Sequence, residues 1–228
     1  MTPSGRSFRR DRQRPPCSRV RRISVDDGVP GDDNCGMSWA PLAEDEYVRT
    51  VASLRGRCIM EVAYYPLSCG EEGTEVEEWD FGDWHLPTMG VELRVDDGTR
   101  YAAVWGHSFD YHGLEIYLGP MSTHLGMIGQ PGGYPEVAVT GHPAWTGILG
   151  APLTGAEILW SEGAYERRLP VAVALSTQTS AVWLVAGAPA RWPLDGHFHL
   201  GTDDVMVVFT RTLASAIGLA LKPERVIA

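Results

Sequence analysis

The chain of 228 residues carries a formal net charge of −10, and residues 1–36, with eight arginines and five aspartates, leave −13 on residues 37–228. An acidic body argues against a nucleic-acid-binding surface, which must neutralise phosphates, and is compatible with a basic protein partner. No apolar run approaches the roughly 20 residues that a membrane span needs, and no apolar segment follows the basic N-terminus as in a secretory signal, so a cytoplasmic protein is expected.

Cysteine usage favours a cytoplasmic protein, and lysine usage indicates a bacterial source. The four cysteines form no C-x-x-C pair, which favours reduced thiols over a zinc site or a disulfide framework. Lys222 is the single lysine among many arginines, a usage typical of a GC-rich bacterial genome.

Residues 1–36 are predicted to be a disordered arginine-rich tail, because they offer too few apolar groups to offset the entropy lost on ordering. The folded pattern begins immediately after Met37, which favours Met37 as the true start of the protein over an arginine-rich arm with its own function. Residues 37–228 are then expected to form a single α+β domain.

The first predicted element is a helix over Pro41–Arg55. Proline suits the first helical position, acidic residues lie near the positive end of the helix dipole, and Gly56 provides a stop. Cys58–Tyr65 is the first predicted strand, and a loop rich in glycine and glutamate follows it.

A β-hairpin is predicted at residues 91–105, where aliphatic and polar residues alternate and meet the turn-forming pair Asp97-Gly98. With this pair as a two-residue loop, Leu93 pairs with Ala102. The aliphatic side chains then share one face of the hairpin. The opposite face collects Glu92, Arg94, Tyr101 and Trp105. Aromatic residues on an outer face are expected to be covered by another element or to bind something.

Further strands are predicted at Leu114–Leu118, Val137–Thr140, Ala156–Ser161, Leu169–Leu175, Ala181–Ala186 and Val205–Phe209, followed by a helix at Arg211–Leu221. The runs Ala181–Ala186 and Val205–Phe209 are apolar on both faces, which predicts central strands. The predicted fold class is α+β: a mainly antiparallel β-sheet of about eight or nine strands, curled or sandwich-like, with an N-terminal and a C-terminal helix packed on it.

The leading functional hypothesis is a non-catalytic protein-binding module, because the chain contains no complete catalytic motif. Its predicted surface joins an acidic loop to loop and hairpin aromatics, a combination that suits an interface with a basic partner. The predicted binding residues are Glu75, Glu77, Glu78, Trp79, Asp80, Trp84, Tyr101 and Trp105. An immunity- or antitoxin-like role, in which the acidic surface blocks a basic nuclease, is one concrete form, and it needs no cofactor.

The alternative hypothesis is a metal-dependent small-molecule enzyme or ligand binder centred on His197 and His199. On a strand, these two imidazoles point to one face, and Asp203 or Asp204 supplies a third ligand for a divalent transition metal. The run GHFHLGTDD resembles the metal-binding motif of cupins, in which H-x-H is followed by an acid. The resemblance is confined to this run, which has aspartate where cupins have glutamate, and no second histidine motif accompanies it.

A second polar group is expected around the ends of the hairpin. Its members are Asp83, His85, His107, Ser108, Asp110 and His112. The group contains the residue types of a Ser-His-Asp relay, but the sequence around Ser108 is not a nucleophile elbow, and such relays are recognised by geometry. Polar loops are therefore the favoured interpretation.

Overall fold

A computed structural model of the protein describes residues 42–69, 75–109, 112–130, 133–162, 168–190 and 197–219. All of them belong to the unit Asn34–Ala228. The predicted disordered tail, residues 1–36, lies outside the described residues, as does the predicted helix start at Pro41.

The described residues form twelve strands and two α-helices. The strands are β1 Ile59–Tyr64, β2 Ser68–Cys69, β3 Glu75–Val76, β4 Trp84–Thr88, β5 Val91–Val95, β6 Arg100–Gly106, β7 Gly113–Leu118, β8 Val137–Ala138, β9 Gly155–Glu162, β10 Arg168–Ser176, β11 Ala181–Pro189 and β12 Phe198–Val208. The helices are α1 Glu44–Ala52 and α2 Arg211–Ala216. The predicted mainly antiparallel β class is confirmed for this part of the chain.

The strands are arranged in two five-stranded sheets and one ribbon, none of them closed into a barrel. The first sheet has the order β7-β6-β5-β1-β8, the second has the order β4-β12-β11-β10-β9, and β2 pairs with β3 alone. The two runs predicted to be central, Ala181–Ala186 and Val205–Phe209, contribute to β11 and β12, and each of these strands has a neighbour on both sides. Their prediction as inner strands is confirmed.

Three hydrophobic clusters bury both faces of both sheets. The largest contains residues of the two five-stranded sheets and of α1, which contacts β7 and β9. A second cluster joins the opposite face of the second sheet to α2, and a third lies where residues 121–134 cover the first sheet. This arrangement explains why β11 and β12 are apolar on both faces.

The hairpin of β5 and β6 has a register that differs by one residue from the predicted one. Residues 96–98 form a three-residue loop in which Gly98 adopts a left-handed φ of 84°. Leu93 therefore pairs with Tyr101. A slip of one residue moves every side chain of a strand to the other face, so Tyr101 and Trp105 turn towards the largest core. The prediction that they lie on an outer face was wrong.

Strand β4 was not predicted, because Pro87 interrupts a segment that contains few aliphatic residues. It lies at the edge of the second sheet, where a missing backbone N–H is tolerated. The strand carries His85, which lies opposite Val207 of β12.

Helix α2 is shorter than the predicted Arg211–Leu221. Thr210 caps its start, and the helix ends at Ala216 because Gly218 adopts a left-handed φ of 87°. The N–H of Leu219 then donates to a carbonyl of the last turn at 2.7 Å, which is the bond of a Schellman motif.

We expect His124, which is buried beside Tyr117, to make stability depend on pH. Burial lowers the pKa of His124 below its usual 6.5, so the native state favours the neutral ring while the unfolded chain takes up the proton at a higher pH. The neutral His124 ring therefore contributes stability that is fully present above about pH 6.5 and that is lost as the pH falls below that value. His124→Phe, which keeps a ring against Tyr117, should lose less Tm than the wild type between about pH 7.5 and 5.5. Equal losses in the two proteins would contradict this expectation.

Candidate functional site

The predicted binding residues separate into acids at the surface and aromatics that face inwards. The exposed or half-exposed acids are Glu75, Glu77, Glu78 and Asp80. The buried or half-buried aromatics are Trp79, Trp84, Tyr101 and Trp105, which contribute to the hydrophobic clusters. The aromatic half of the predicted set therefore packs the fold, and the binding hypothesis stays a prediction that concerns the acids.

The acids begin in a ribbon, which we call the acidic ribbon, formed by residues 67–69 and 75–78. Ser68 pairs with Val76, and the N–H of Glu77 donates to the carbonyl of Leu67 at 3.0 Å. Leu67 and Val76 remain 38% and 42% exposed. The hydroxyl of Ser68 donates to the carbonyl of Gly133 at 2.8 Å, which anchors the ribbon to the neighbouring loop.

The histidine pair predicted to bind a metal lies in and beside β12. His197, His199 and Asp203 are all exposed. We looked among the described residues for groups of histidine, cysteine and carboxylate side chains whose ligand atoms all lie within 4.8 Å of one another. His197, His199 and Asp203 do not form such a group. Gly201, with a φ of 74°, turns the backbone between His199 and Asp203. The structure does not bring the predicted ligand set together.

A different set converges, which we call the His–Asp–His cluster: Asp80, His85 and His142. Asp80 Oδ1 lies 3.3 Å from His85 Nε2, and Asp80 Oδ2 lies 3.1 Å from His142 Nε2. The three residues offer ligand atoms that all lie within 4.8 Å of one another. A single carboxylate therefore lies between two imidazoles, one buried and one partly exposed.

Local backbone structure sets Asp80 opposite His85. The N–H of Leu86 donates to the carbonyl of Trp79 at 2.8 Å, and an isolated antiparallel bridge joins Asp80 to His85. Gly82, with a left-handed φ of 82°, closes this narrow loop and donates its N–H to Asp80 Oδ1 at 2.9 Å. Backbone groups of its own loop therefore orient the carboxylate.

His142 reaches the cluster from a distant part of the chain, 62 residues after Asp80. It precedes a short 3₁₀ helix, Pro143–Trp145, and its Nδ1 accepts the N–H of Ala144 at 3.3 Å. An Nδ1 that accepts this bond leaves the ring proton on Nε2, which then donates to Asp80.

A buried hydrogen-bond chain holds the other side of His85. Trp145 Nε1 donates to the Tyr64 hydroxyl at 2.9 Å, and that hydroxyl lies 2.9 Å from His85 Nδ1. Because the hydroxyl already accepts from Trp145, its own proton is free to be donated to His85 Nδ1. The cluster is thus tied to residues of β1 and of the 3₁₀ helix.

Aromatic rings enclose the cluster on its inner side. The Trp79 ring lies edge-on to His85 and His142, with centroid separations of 5.0 and 5.6 Å. Phe209 packs on His85 at 4.6 Å and on Trp145 at 5.4 Å. These rings shield one side of the two imidazoles from solvent.

The surroundings shift the protonation of the cluster. Burial, assisted by the nearby His142, lowers the pKa of His85 to about 4, so the ring is neutral at pH 7. The hydrogen bond from the Gly82 N–H is the main cause that holds the pKa of Asp80 below its usual value, and the two histidines add to it. At pH 7 the cluster consists of a carboxylate and a neutral buried imidazole, together with His142.

The polar group predicted around the hairpin is divided between two places. His85 joins the His–Asp–His cluster, whereas Ser108 binds Glu115: its N–H donates to Oε1 at 2.6 Å and its hydroxyl to Oε2 at 2.7 Å. Asp110 lies outside the described residues. The hydroxyl of Ser108 therefore has a buried carboxylate as its partner, which is the bonding expected of a structural serine.

Sequence reasoning singled out Asp80 and His85 for other roles and missed His142 altogether. His142 precedes a proline in a segment rich in glycine and proline, and nothing in its neighbourhood distinguishes it from a loop histidine. The pairing depends on tertiary structure, so no local signal could have found it.

A scan against known protein families found no match for this chain, and searches of characterised proteins and of solved structures found none either. Across the described residues, no helix is both long and apolar enough to cross a membrane.

Proposed function

We propose that this protein is a non-catalytic binding module that engages a basic protein through the acidic ribbon. The observation that carries the proposal is the pairing of exposed aliphatic side chains, Leu67 and Val76, with exposed carboxylates in the same two-stranded element. Aliphatic residues framed by charged ones are typical of protein interfaces, which place apolar contacts at the centre and polar groups at the rim.

The charge of the partner follows from the charge of this chain. Residues 37–228 carry −13, and Glu75 and Glu78 are exposed beside Val76. Complementary charge accelerates association and discriminates against acidic competitors. An immunity- or antitoxin-like role is the concrete form that we favour, because a carboxylate-rich surface can occupy the phosphate-binding groove of a basic nuclease.

Bonding at Ser108 and at His142 Nδ1 supports a non-catalytic role. The Ser108 hydroxyl donates to Glu115, and His142 Nδ1 accepts from Ala144. A general base needs a lone pair that can face a substrate, and a serine nucleophile needs a base beside it. These atoms are instead engaged with the protein itself.

The test is affinity capture from lysate with the full chain as bait, followed by identification of the captured proteins. We expect a basic protein that is retained by wild type and lost, by about tenfold or more in affinity, with the triple variant Glu75→Gln, Val76→Ser, Glu78→Gln. Because Asp80 is left unchanged, the His–Asp–His cluster is not disturbed.

A matched control changes carboxylates on other surfaces. Asp96→Asn with Glu157→Gln removes two exposed negative charges from the β5–β6 loop and from β9, and this variant should retain the partner. Retention of the same partner by the triple variant, at the same salt sensitivity, would show that the acidic ribbon is not the interface.

A further inference from the structure

We propose that the His–Asp–His cluster binds one divalent transition-metal ion, with zinc as the best-fitting ion. Two imidazoles and one carboxylate are a common zinc ligand set, and three protein ligands leave a fourth position for water or another ligand. This site is independent of the acidic ribbon. It also lies in a different place from the His197 and His199 pair.

The distances from the carboxylate to the two imidazoles are close to those around a tetrahedral ion. Asp80 Oδ1 lies 3.3 Å from His85 Nε2, Asp80 Oδ2 lies 3.1 Å from His142 Nε2, and the ligand atoms of the three residues all lie within 4.8 Å of one another. Bonds of about 2.0–2.1 Å around a tetrahedral ion place neighbouring ligand atoms roughly 3.4 Å apart. His142 is only partly buried, with 25% of its side chain exposed, so its ring can rotate to complete the geometry.

The second observation is the bonding of His85 itself. Its side chain is completely buried, and Nε2 lacks a well-formed hydrogen bond although Asp80 Oδ1 lies 3.3 Å away. Buried polar atoms nearly always have a partner, and an exception calls for a physical explanation. An ion held between Asp80 and His142 would give this nitrogen a partner.

Residues behind the cluster provide the support that metal-binding histidines need. A ligating imidazole usually directs its other nitrogen to a hydrogen-bonding group that fixes the ring. The Tyr64 hydroxyl lies 2.9 Å from His85 Nδ1 and is itself held by Trp145 Nε1. When Nε2 binds an ion, Nδ1 carries the proton and donates it to the Tyr64 oxygen, which has a second lone pair.

Metal binding has a modest cost at His142. Coordination through Nε2 moves the ring proton to Nδ1, so the 3.3 Å bond from the Ala144 N–H is given up. A bond of this kind contributes little to stability compared with a coordinate bond to zinc, so the exchange favours binding.

The position of the cluster leaves room for an outer ligand. Asp80 is 45% exposed, whereas Trp79 and Phe209 cover the inner side of the imidazoles. The open coordination position therefore faces solvent, and the hydrophobic side strengthens electrostatic attraction between the carboxylate and the ion.

The test is a calorimetric titration of the full, untagged, chelator-treated chain with zinc chloride, together with a titration of cobalt(II), whose visible absorption reports the coordination number. We expect one ion per chain and a four-coordinate cobalt spectrum. Added zinc should also raise Tm, because an ion that binds the native state alone stabilises it.

Two variants remove exposed ligands and leave the buried His85 in place. Asp80→Asn keeps an oxygen that accepts the Gly82 N–H, and His142→Ala removes a ring that is partly exposed. Each should weaken zinc binding by at least about 100-fold, with Tm in chelator close to that of wild type. The matched control is His197→Ala with His199→Ala, which removes two exposed histidines and should bind zinc like the wild type.

Wild-type protein that binds neither zinc nor cobalt with a Kd below about 100 µM would overturn the proposal, and the cluster would then be a purely hydrogen-bonded network. Unchanged affinity in Asp80→Asn and His142→Ala would also overturn it. If only the His197→Ala, His199→Ala variant lost zinc binding, the zinc site would lie at β12, and the proposal for the His–Asp–His cluster would be wrong. None of these outcomes bears on partner capture by the acidic ribbon, so the two proposals fail separately.

Discussion

Glu115→Ala is expected to lower the free energy of unfolding by about 4 kcal/mol, the largest effect of any single substitution that we consider. The Glu115 side chain is completely buried in β7 and accepts hydrogen bonds from the Ser108 N–H, the Ser108 hydroxyl and the Tyr117 hydroxyl. Alanine would leave these partly buried donors without their acceptor and would open a cavity. Each lost partner of this kind costs roughly 1–3 kcal/mol.

Glycine at position 106 shows how closely the fold is built around this carboxylate. Gly106 of β6 lies opposite Gly113 of β7, and a Cβ at residue 106 would overlap the carboxyl group of Glu115. The Ser108 hydroxyl also accepts the N–H of Leu42, just before α1. The carboxylate therefore connects β7, the segment after β6 and the start of the helix region.

The measurement is urea unfolding of three variants beside the wild type. Glu115→Gln keeps the shape but turns one acceptor into a donor, so it should cost about 1–3 kcal/mol, less than alanine. Glu157→Gln on the exposed face of β9 should stay within about 0.5 kcal/mol of wild type. If Glu115→Ala were as stable as Glu157→Gln, the hydrogen bonds to Ser108 and Tyr117 would contribute nothing to folding.

How much of the fold the sequence could predict depends on how local each signal is. Apolar runs predicted β11 and β12 as inner strands, because burial on both faces needs no knowledge of the partner strand. The hairpin was located by its turn residues, but its register was not, since Asp97-Gly98 is compatible with loops of two or three residues. That single residue decided whether Tyr101 lay in the core or on the surface.

The candidate site shows the same limit more sharply. Asp80 was grouped with acids of the ribbon and His85 with polar residues near Ser108, because sequence proximity was the only available guide. Their convergence depends on β4, an edge strand that could not be predicted because it contains Pro87. It also depends on His142, which comes from a loop with no periodic sequence pattern. The set of residues that meets in space is determined by long-range packing, which no local sequence pattern reports.

Tyr64→Phe is expected to lower the free energy of unfolding by about 2–4 kcal/mol, the second large effect. The substitution removes one oxygen and keeps the ring. It leaves Trp145 Nε1 and His85 Nδ1, both 2.9 Å from the hydroxyl, buried without a partner. Losing both hydrogen bonds lowers the free energy of unfolding by more than the loss of one exposed bond would, because both nitrogens are buried and water cannot replace the missing oxygen.

The same substitution should weaken zinc binding by about 10–100-fold, because loss of a partner behind a ligating histidine frees the orientation of the ring. Tyr64 acts through His85 and is therefore a positioning residue. The matched control is Tyr101→Phe, which removes a buried tyrosine hydroxyl that bonds Ser53 and lies outside the His–Asp–His cluster. It should cost about 1 kcal/mol and leave zinc affinity unchanged.

Stability and metal affinity together decide what the Tyr64 hydroxyl does. A variant that loses both stability and zinc affinity, while Tyr101→Phe loses stability alone, is the expected result. If Tyr64→Phe were destabilised but bound zinc as tightly as wild type, His85 would not need its Nδ1 partner to act as a ligand, and the hydroxyl would serve the hydrophobic core alone. Unchanged stability would mean that Trp145 and His85 find other partners, and the hydrogen-bond chain described for the native state would be wrong.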